Sequence, residues 1–576
     1  MDHSQLSSQA WQRGVQPNRW DWLILPLIIA LIILMAFGAS QMATPYHIGT
    51  PLAISLEPSY LPYYLLRTTL RMLMALGLSL LFSFAFAVIA ARYRMAEKVM
   101  VPALDILQSI PVLGFLSITV TGFIALFPGN LLGVECAAIF AIFTSQAWNM
   151  AFSLYQSMRT VPSELKEAAR IFHLSTWQRF WRLELPFAMP GLLWNMMMSM
   201  SGGWFFVVAS EAISVSNQNI KLPGIGSYIA LAISQQNITA IGWAILAMLI
   251  GILIYDQLLF RPLIAWANKF KFEQSGSEDE PQSWLLTLMR RTNAVQNFSH
   301  WAVAFLERGL LLFKKPYDGT SILARPKAIN PKAERVGDAI IAALALFACW
   351  KIAVFVHAEV GWHEVGRVFW LGCLTMLRVS VLIVLASIVW VPIGVWVGLN
   401  PKYAARLQPV AQFMAAFPAN LMFPIVVLGL VKFKLNPEIW LSPLMVFGTQ
   451  WYILFNVIAG ASSIPGELRY AADNLGLSRW LRWKRFLLPA IFPSFVTGAI
   501  TASGGSWNAS IVAEYVSWGD TTLTATGLGS YIAEMTATGD FPRIALGISV
   551  MCCFVMAFNR FVWRKLYAIA EEKMSY

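Results

Sequence analysis

Four ionisable residues stand at matched places in a chain that is otherwise almost wholly apolar. Arg71 and Arg378 lie 307 positions apart (378 − 71), and Glu211 and Glu514 lie 303 apart (514 − 211). An ionisable side chain at membrane depth is expensive and is therefore kept for a task. A carboxylate there can gate a path, bond a neighbouring helix or touch a solute; a gate or a helix–helix hydrogen bond is the leading expectation for Glu211 and Glu514. Arginines near the start of a span can attract an anion or can snorkel to the interface, and interfacial anchoring is the leading expectation for Arg71 and Arg378. Bond-making chemistry finds no residues to carry it. The five cysteines lie in apolar runs without metal-ligand spacing and read as small hydrophobes, so no metal site and no catalytic residue is expected. The chain also has no G-x-x-x-x-G-K-[ST] phosphate loop and is no enzyme by this reading: it cannot hydrolyse ATP itself.

The elements that must position those charges are membrane spans. With 57% apolar and 12% charged residues, the composition is that of a polytopic membrane protein. Runs of about 20 apolar residues predict spans near 22–41, 70–91, 101–127, 132–155, 191–213 and 239–260. A second set follows near 337–357, 374–398, 407–432, 440–460, 493–516 and 543–564. The fold class expected is therefore an all-α polytopic membrane protein with about 12 transmembrane helices in two groups of six. The excess of 42 basic over 30 acidic residues gathers in loops that share one side if both termini are cytoplasmic, so no nucleic-acid partner is needed to explain it. The polar start of the chain and the absence of a small-residue cleavage pattern argue against a signal peptide.

The two groups are copies. Pro186 and Pro489 are 303 positions apart (489 − 186), and at the same offset Trp148 meets Trp451, Trp204 meets Trp507 and GSYIA at 226–230 meets GSYIA at 529–533. Upstream the offset is 307, pairing Pro111 with Pro418. A duplicated unit of six spans, both copies in one orientation, follows. Residues 1–264 form the first unit and 336–576 the second. Between them, 265–335 reads as a polar linker whose stretch Trp301 to Lys315 suits the membrane interface and not a span. Within the fifth span of each unit, Ser201, Gly202 and Trp204, matched by Gly504, Ser506 and Trp507, place small residues beside an aromatic; they either pack helices closely or line a path.

Each unit also carries a charged loop, 162–190 and 465–493, that contains ELKEAARIFHLSTWQRFWRLELP in the first copy and ELRYAADNLGLSRWLRWKRFLLP in the second. Glu167, Ala168, Ala169, Leu183, Leu185 and Pro186, and in the second copy Ala471, Ala472, Gly476, Phe486, Leu488 and Pro489, resemble the EAA signature of permease subunits of binding-protein-dependent ABC importers. His173 stands where the signature has glycine, and Tyr470 where it has glutamate. The resemblance implies two tandem MetI-like domains and a short coupling helix in each loop. Glu164, Glu167, Ala168, Ala169 and His173, and Glu467, Tyr470, Ala471, Ala472 and Gly476, would then face ATPase subunits. It also implies two ATP-binding-cassette partners that use the ATP and Mg²⁺, a periplasmic or lipid-anchored substrate-binding protein, a bacterial inner-membrane location and no cofactor bound by this chain. The line from Ala209 to Ala230, with its copy, looks like the nitrate, sulfonate and taurine group, whose solutes are small anions. A secondary transporter of two six-span halves is the alternative; paired docking loops disfavour it, and a non-transporting scaffold is disfavoured by the register match through the spans.

Overall fold

Prolines and short charged turns divide the apolar runs into helices. A computed structural model of the chain describes residues 21–46, 52–267, 284–292 and 357–569, apart from positions 111, 216–217, 463, 520 and 567, together with isolated positions between 296 and 355. The first unit contains α1 (Asp21–Ser40), α2 (Leu61–Arg92), α3 (Arg94–Ser109), α4 (Val112–Leu126), α5 (Leu132–Arg159), α6 (Ser163–Ile171) and α7 (Leu185–Glu211). A hairpin of β1 (Ala212–Val215) and β2 (Gln218–Lys221) leads to α8 (Ile225–Ser234) and α9 (Ile238–Tyr255). The second unit repeats this as α10 (Trp362–Gly398), α11 (Pro401–Ala416), α12 (Phe423–Phe433), α13 (Gln450–Ser462), α14 (Gly466–Asn474), α15 (Leu488–Ala513), β3 (Tyr515–Trp518), β4 (Thr521–Thr524), α16 (Leu528–Thr538) and α17 (Phe541–Phe558). From α6 and α14 onward the paired elements start 303 residues apart, and α3 and α11 start 307 apart (401 − 94), the two offsets of the sequence repeat.

The protein is an all-α membrane fold of two tandem MetI-like units. Among the described residues eight helices are long and apolar enough to cross a membrane, and the pair Pro437–Phe447 and Gln450–Ser462, bent by 43°, makes nine if it is counted as one broken span. Two spans expected as single helices are instead broken at a proline. Ile110, before Pro111, and Phe417, before Pro418, are extended with ψ of 124° and 127°, because the proline ring excludes the helical region for the residue ahead of it. Of the span expected at 337–357 the described positions, among them 342–343, 346–347 and 353–355, are helical, and the interfacial stretch Trp301 to Lys315 lies outside the described residues apart from Trp301. The hairpins β1–β2 and β3–β4, each antiparallel with Ala212 opposite Lys221 and Tyr515 opposite Thr524, are the small additions to an all-α expectation.

In the first unit α2 packs on α5 and α5 on α7; in the second, α13 packs on α15 and α10. Small side chains permit the approach: Ala137, Ala138 and Ala141 on α5 are fully buried, and a Cβ at Gly498 would stand 2.7 Å from the Tyr452 carbonyl. The fifth spans, expected at 191–213 and 493–516, begin ahead of Pro186 and Pro489. A single helix of 36 residues runs from Thr176 to Glu211 and one of 35 from Arg479 to Ala513. Each passes its proline through a π turn, at Phe180–Glu184 and Trp483–Leu487. The wider turn accommodates Pro186 and Pro489, which have no N–H to give to the preceding turn.

Candidate functional site

At the far end of α7, Glu211 is fully buried and its carboxylate collects three donors. Thr68 Oγ1 donates to Oε1 at 2.6 Å, Arg71 Nη1 to Oε1 at 2.6 Å and the Gly226 N–H to Oε2 at 2.6 Å, while the Ser227 hydroxyl takes the Glu211 main-chain carbonyl at 2.6 Å. The Gly226 amide belongs to the first turn of α8, where free N–H groups and the helix dipole favour a negative charge. Arg71, also fully buried, forms a fork on Glu135, with Nε at 2.6 Å from Oε2 and Nη2 at 2.7 Å from Oε1. Arg67 adds a third ion pair to Glu135 at 2.5 Å. Two arginines and two carboxylates thus lie in one dry cluster that pins α2, α5, α7 and α8 together.

The glycines of the repeated G-x-G motif follow from this cluster. A Cβ at Gly224 would stand 2.3 Å from the Glu211 carboxyl carbon, and one at Gly226 would stand 2.2 Å from the Val208 carbonyl oxygen. The second unit repeats the scheme: Gly527 has the same clash with Glu514 at 2.3 Å, and Gly529 meets the Ser510 carbonyl at 2.4 Å. Thr375 and Arg378 donate to Glu514 Oε1 at 2.9 and 3.1 Å, and the Ser530 N–H donates to Oε2 at 3.1 Å. Arg378 also pairs with Glu438, the equivalent of Glu135 at offset 303 (438 − 135). No counterpart of Arg67 exists, since Leu374 takes its place. The second cluster is also wetter, with side-chain exposures of 16% for Arg378 and 42% for Glu438.

Between the units lies a cavity of about 140 Å³. Ser201, Gly202 and Phe205 of α7 face Gly504, Gly505 and Asn508 of α15 across it, and Val112, Phe417 and Ala419 bring the two proline breaks to its wall. Gln108, Thr144, Ser145, Trp148, Asn149, Thr449, Tyr452 and Thr501 supply most of the remaining polar and aromatic surface, and among the described residues no charged side chain lines it. The units clasp each other here: Val112 N–H donates to Asn508 Oδ1 at 2.9 Å, Asn420 Nδ2 donates to the Phe205 carbonyl at 3.2 Å, and Ser201 Oγ donates to the Ala415 carbonyl.

At the opposite end of α7 and α15 from the charge clusters are the two charged loops. Helices α6 and α14 each end in a left-handed residue, His173 with φ 51° and Gly476 with φ 61°. His173 therefore keeps the turn that glycine makes in the other copy, and Leu174 N–H closes it on the Ala169 carbonyl at 3.1 Å. Ala169 and Ala472 turn inward and are buried against their own bundle. Glu164, Glu167, Glu467, Tyr470, Ala471 and Gly476 are exposed, and Ala168 is half-buried. The outward apolar knobs are Phe172 and Leu475, an equivalent pair at offset 303 (475 − 172) with exposures of 75% and 74%.

A family described as "binding-protein-dependent transport system inner membrane component" matches residues 83–260 and again 390–575, together more than half of the chain. The chain belongs to that family. It is 29% identical over 194 residues to the bicarbonate transport system permease protein of Synechococcus elongatus, covering 34% of this chain and 66% of that one. It is 27% identical over 180 residues to the nitrate import permease protein of Leptolyngbya laminosa, covering 31% and 61%. It is 24% identical over 282 residues to the putative aliphatic sulfonates transport permease protein of Bacillus subtilis, covering 46% and 95%. The chain thus spans just under two thirds of the length of the first two of these relatives.

Within this inner membrane component the residues singled out from sequence divide into three groups. Ser201, Gly202 and Gly504 line the central cavity. Trp204, Ser506 and Trp507 do not: Trp204 packs edge-on against Tyr255, Trp507 stacks on Phe554, and Ser506 bonds Thr449 at 2.9 Å. Arg71 and Arg378 are not interfacial anchors, because both are bound to carboxylates inside their units. The reading of Glu211 and Glu514 as helix–helix hydrogen-bonding groups agrees with their partners. Glu135 and Glu438 were missed, although their shared offset was a signal; of the cavity's aromatics Trp148 recurs as Trp451, but Asn149 meets Tyr452 and Phe205 meets Asn508 at equivalent positions, so these carried none.

Two predictions follow for the purified permease in detergent. Glu211→Ala leaves Arg71 buried beside a single carboxylate that it shares with Arg67, and the expected loss is about 3–5 kcal/mol. Glu514→Ala costs less, because Arg378 keeps Glu438 and some contact with water. Thermal unfolding followed by tryptophan fluorescence checks the pair, and equal losses would contradict the difference in burial. In the loops, Gly476→Ala costs about 1 kcal/mol through its left-handed backbone, and His173→Gly gains a similar amount. Hydrogen exchange across 163–178 and 466–481 reads both, and no change in either loop would refute the assignment of strain.

Proposed function

We propose that the chain is the translocation subunit of an ATP-binding-cassette importer that carries a small anion by alternating access. The observation that carries this reading is the path of α7 and α15. Each is one unbroken helix from a charged loop, past the central cavity, to a buried charge cluster. At about 1.5 Å per residue, a 36-residue helix extends roughly 54 Å, so displacement of a loop is delivered to the cavity wall. Two ATPase subunits, one under each loop, would supply that displacement; ATP and Mg²⁺ belong to them. A substrate-binding protein would deliver the solute to the other side.

The orientation that suits this scheme puts both termini and both loops in the cytoplasm, where the basic clusters of the sequence also belong. Residues 1–264 and 336–576 serve as the two halves, and 265–335 as the linker. The anion is supported by what the relatives' names say they carry and by a lining without carboxylates. Amide groups of Gln108, Asn149 and Asn508 and hydroxyls of Thr144, Ser145 and Thr501 offer neutral donors. Such donors hold an anion weakly enough to release it, which conduction requires. The alternative is a secondary transporter of two six-span halves; were it proton-coupled, it would need an ionisable group facing its path, and among the described residues the cavity lining has none.

The knobs Phe172 and Leu475 provide the test. With Phe172→Asp and Leu475→Asp combined, co-purification of the ATPase subunits and ATP-dependent uptake into proteoliposomes should both fall to background. Insertion into the membrane should be unchanged. Uptake that persists without ATP in the wild type, or full ATPase retention in the double variant, would sink the proposal.

A further inference from the structure

Where α2 and α5 end beside the start of α6, a cavity of about 260 Å³ opens among Arg92, Arg159, Lys166, Arg179 and Glu184. Four cations surround one carboxylate. Glu184 is buried and takes Arg179 Nε at 2.7 Å, which holds that arginine in place. Arg92 gives one Nη to the Thr176 carbonyl at 3.0 Å, while its Nε is buried without a hydrogen-bond partner. Arg159 is more than half exposed and reaches Glu97 only at 3.6 Å. Lys166 Nζ makes a long contact of 3.5 Å with the Arg159 carbonyl. Neighbouring carboxylates therefore leave positive charge in a concave site.

The second unit lacks the site. Leu399, Ser462 and Leu487 replace Arg92, Arg159 and Glu184 at the matched positions. Arg469, the match of Lys166, turns onto the Ile464 carbonyl at 2.8 Å, and Arg482, the match of Arg179, pairs with Asp473 at 2.5 Å. A general preference for basic residues on one side of the membrane would act on both units alike. It does not account for a pocket confined to one.

We propose that this pocket binds a phosphate group, carried by an anionic lipid headgroup or by free inorganic phosphate. Guanidinium forks and an ammonium match the geometry and charge of phosphate oxygens, and basic pockets between spans at the membrane surface hold lipid headgroups. A group bound there bridges the ends of α2 and α5 to Lys166 on α6 and so stiffens the first loop alone. The proposal needs only the loop geometry and stands apart from the importer reading.

The test uses the full-length protein in nanodiscs of phosphatidylcholine, with or without phosphatidylglycerol. Retained phosphatidylglycerol is counted by native mass spectrometry, and inorganic phosphate binding is measured by equilibrium dialysis in the phosphatidylcholine discs. Arg92→Gln with Lys166→Gln is expected to weaken binding by roughly tenfold or more, the scale of a lost charge-assisted contact; the partly exposed Lys166→Gln alone serves if the double variant does not fold. Binding of phosphatidylglycerol without phosphate identifies the lipid as the source, and the converse identifies the free ion. The proposal is overturned if neither probe binds the wild type. It is equally overturned if the variants bind as the wild type does, or if Arg469→Gln with Arg482→Gln in the second unit causes the same loss.

Discussion

The pairing of Arg71 with Glu211 and Glu135 is the constraint on which the first unit depends. A charge withdrawn from water is costly, and its partner compensates only when the geometry is good and the remaining donors and acceptors are satisfied. That requirement propagates. Glu211 must end α7 where the first amides of α8 can reach it, Thr68 must stand one turn from Arg71 on α2, and Gly224 must lack a side chain so that the carboxylate can approach. Four helices meet at one point because the buried guanidinium of Arg71, beside that of Arg67, has to be neutralised. The repeat of this arrangement around Glu514 explains why a threonine, an arginine, a glutamate and two glycines recur in register over both units.

Fusion of two copies in one chain frees each from having to be identical to the other. Where a position serves the common frame, the copies agree: the proline breaks, the π turns and the carboxylate clusters are all paired. Of the positions that face the space between them, several differ, although Gly202 and Gly505 agree. Asn149 is opposed by Tyr452, and Phe205 by Asn508, so that Asn508 can cap the start of α4 while Phe205 offers only its carbonyl to Asn420. The cavity is consequently not two-fold symmetric, and a solute within it meets a different surface on each side. The loops have diverged too, through His173 against Gly476 and through the basic pocket that only the first copy has.

Much of this frame was legible in the sequence. The repeat, its two offsets, the charged loops and the end positions of Glu211 and Glu514 all follow from residue types at fixed spacing, which packing preserves. Three things did not follow. Hydropathy treats an arginine near a span end as an anchor, because it does not see the carboxylate on another helix; Arg71 needed Glu135 beside it to be understood. It also averages over a proline, so that the breaks at Pro111 and Pro418 vanish inside apolar windows. Lastly, small and aromatic residues on a span have the same signature whether they line a cavity or fill a core, which is why Gly202 and Trp204, two residues apart, separate into different roles only in three dimensions.

The distribution of charge along the fifth spans has its own logic. Charges lie at both ends of α7, in the loop and in the Glu211 cluster, and among the described residues none lies in the cavity between them. A fixed cation in that wall would bind an anion tightly in whichever state exposed it, and a tightly bound solute resists release on the other side. Neutral donors avoid this, since each offers a hydrogen bond without a net charge. The buried charges, for their part, are paired with one another and have no need of the solute. On the importer reading proposed above, the ends would hold the helices firmly while the middle lets its occupant go, and a rigid helix between them would allow one end to be moved without unlocking the other.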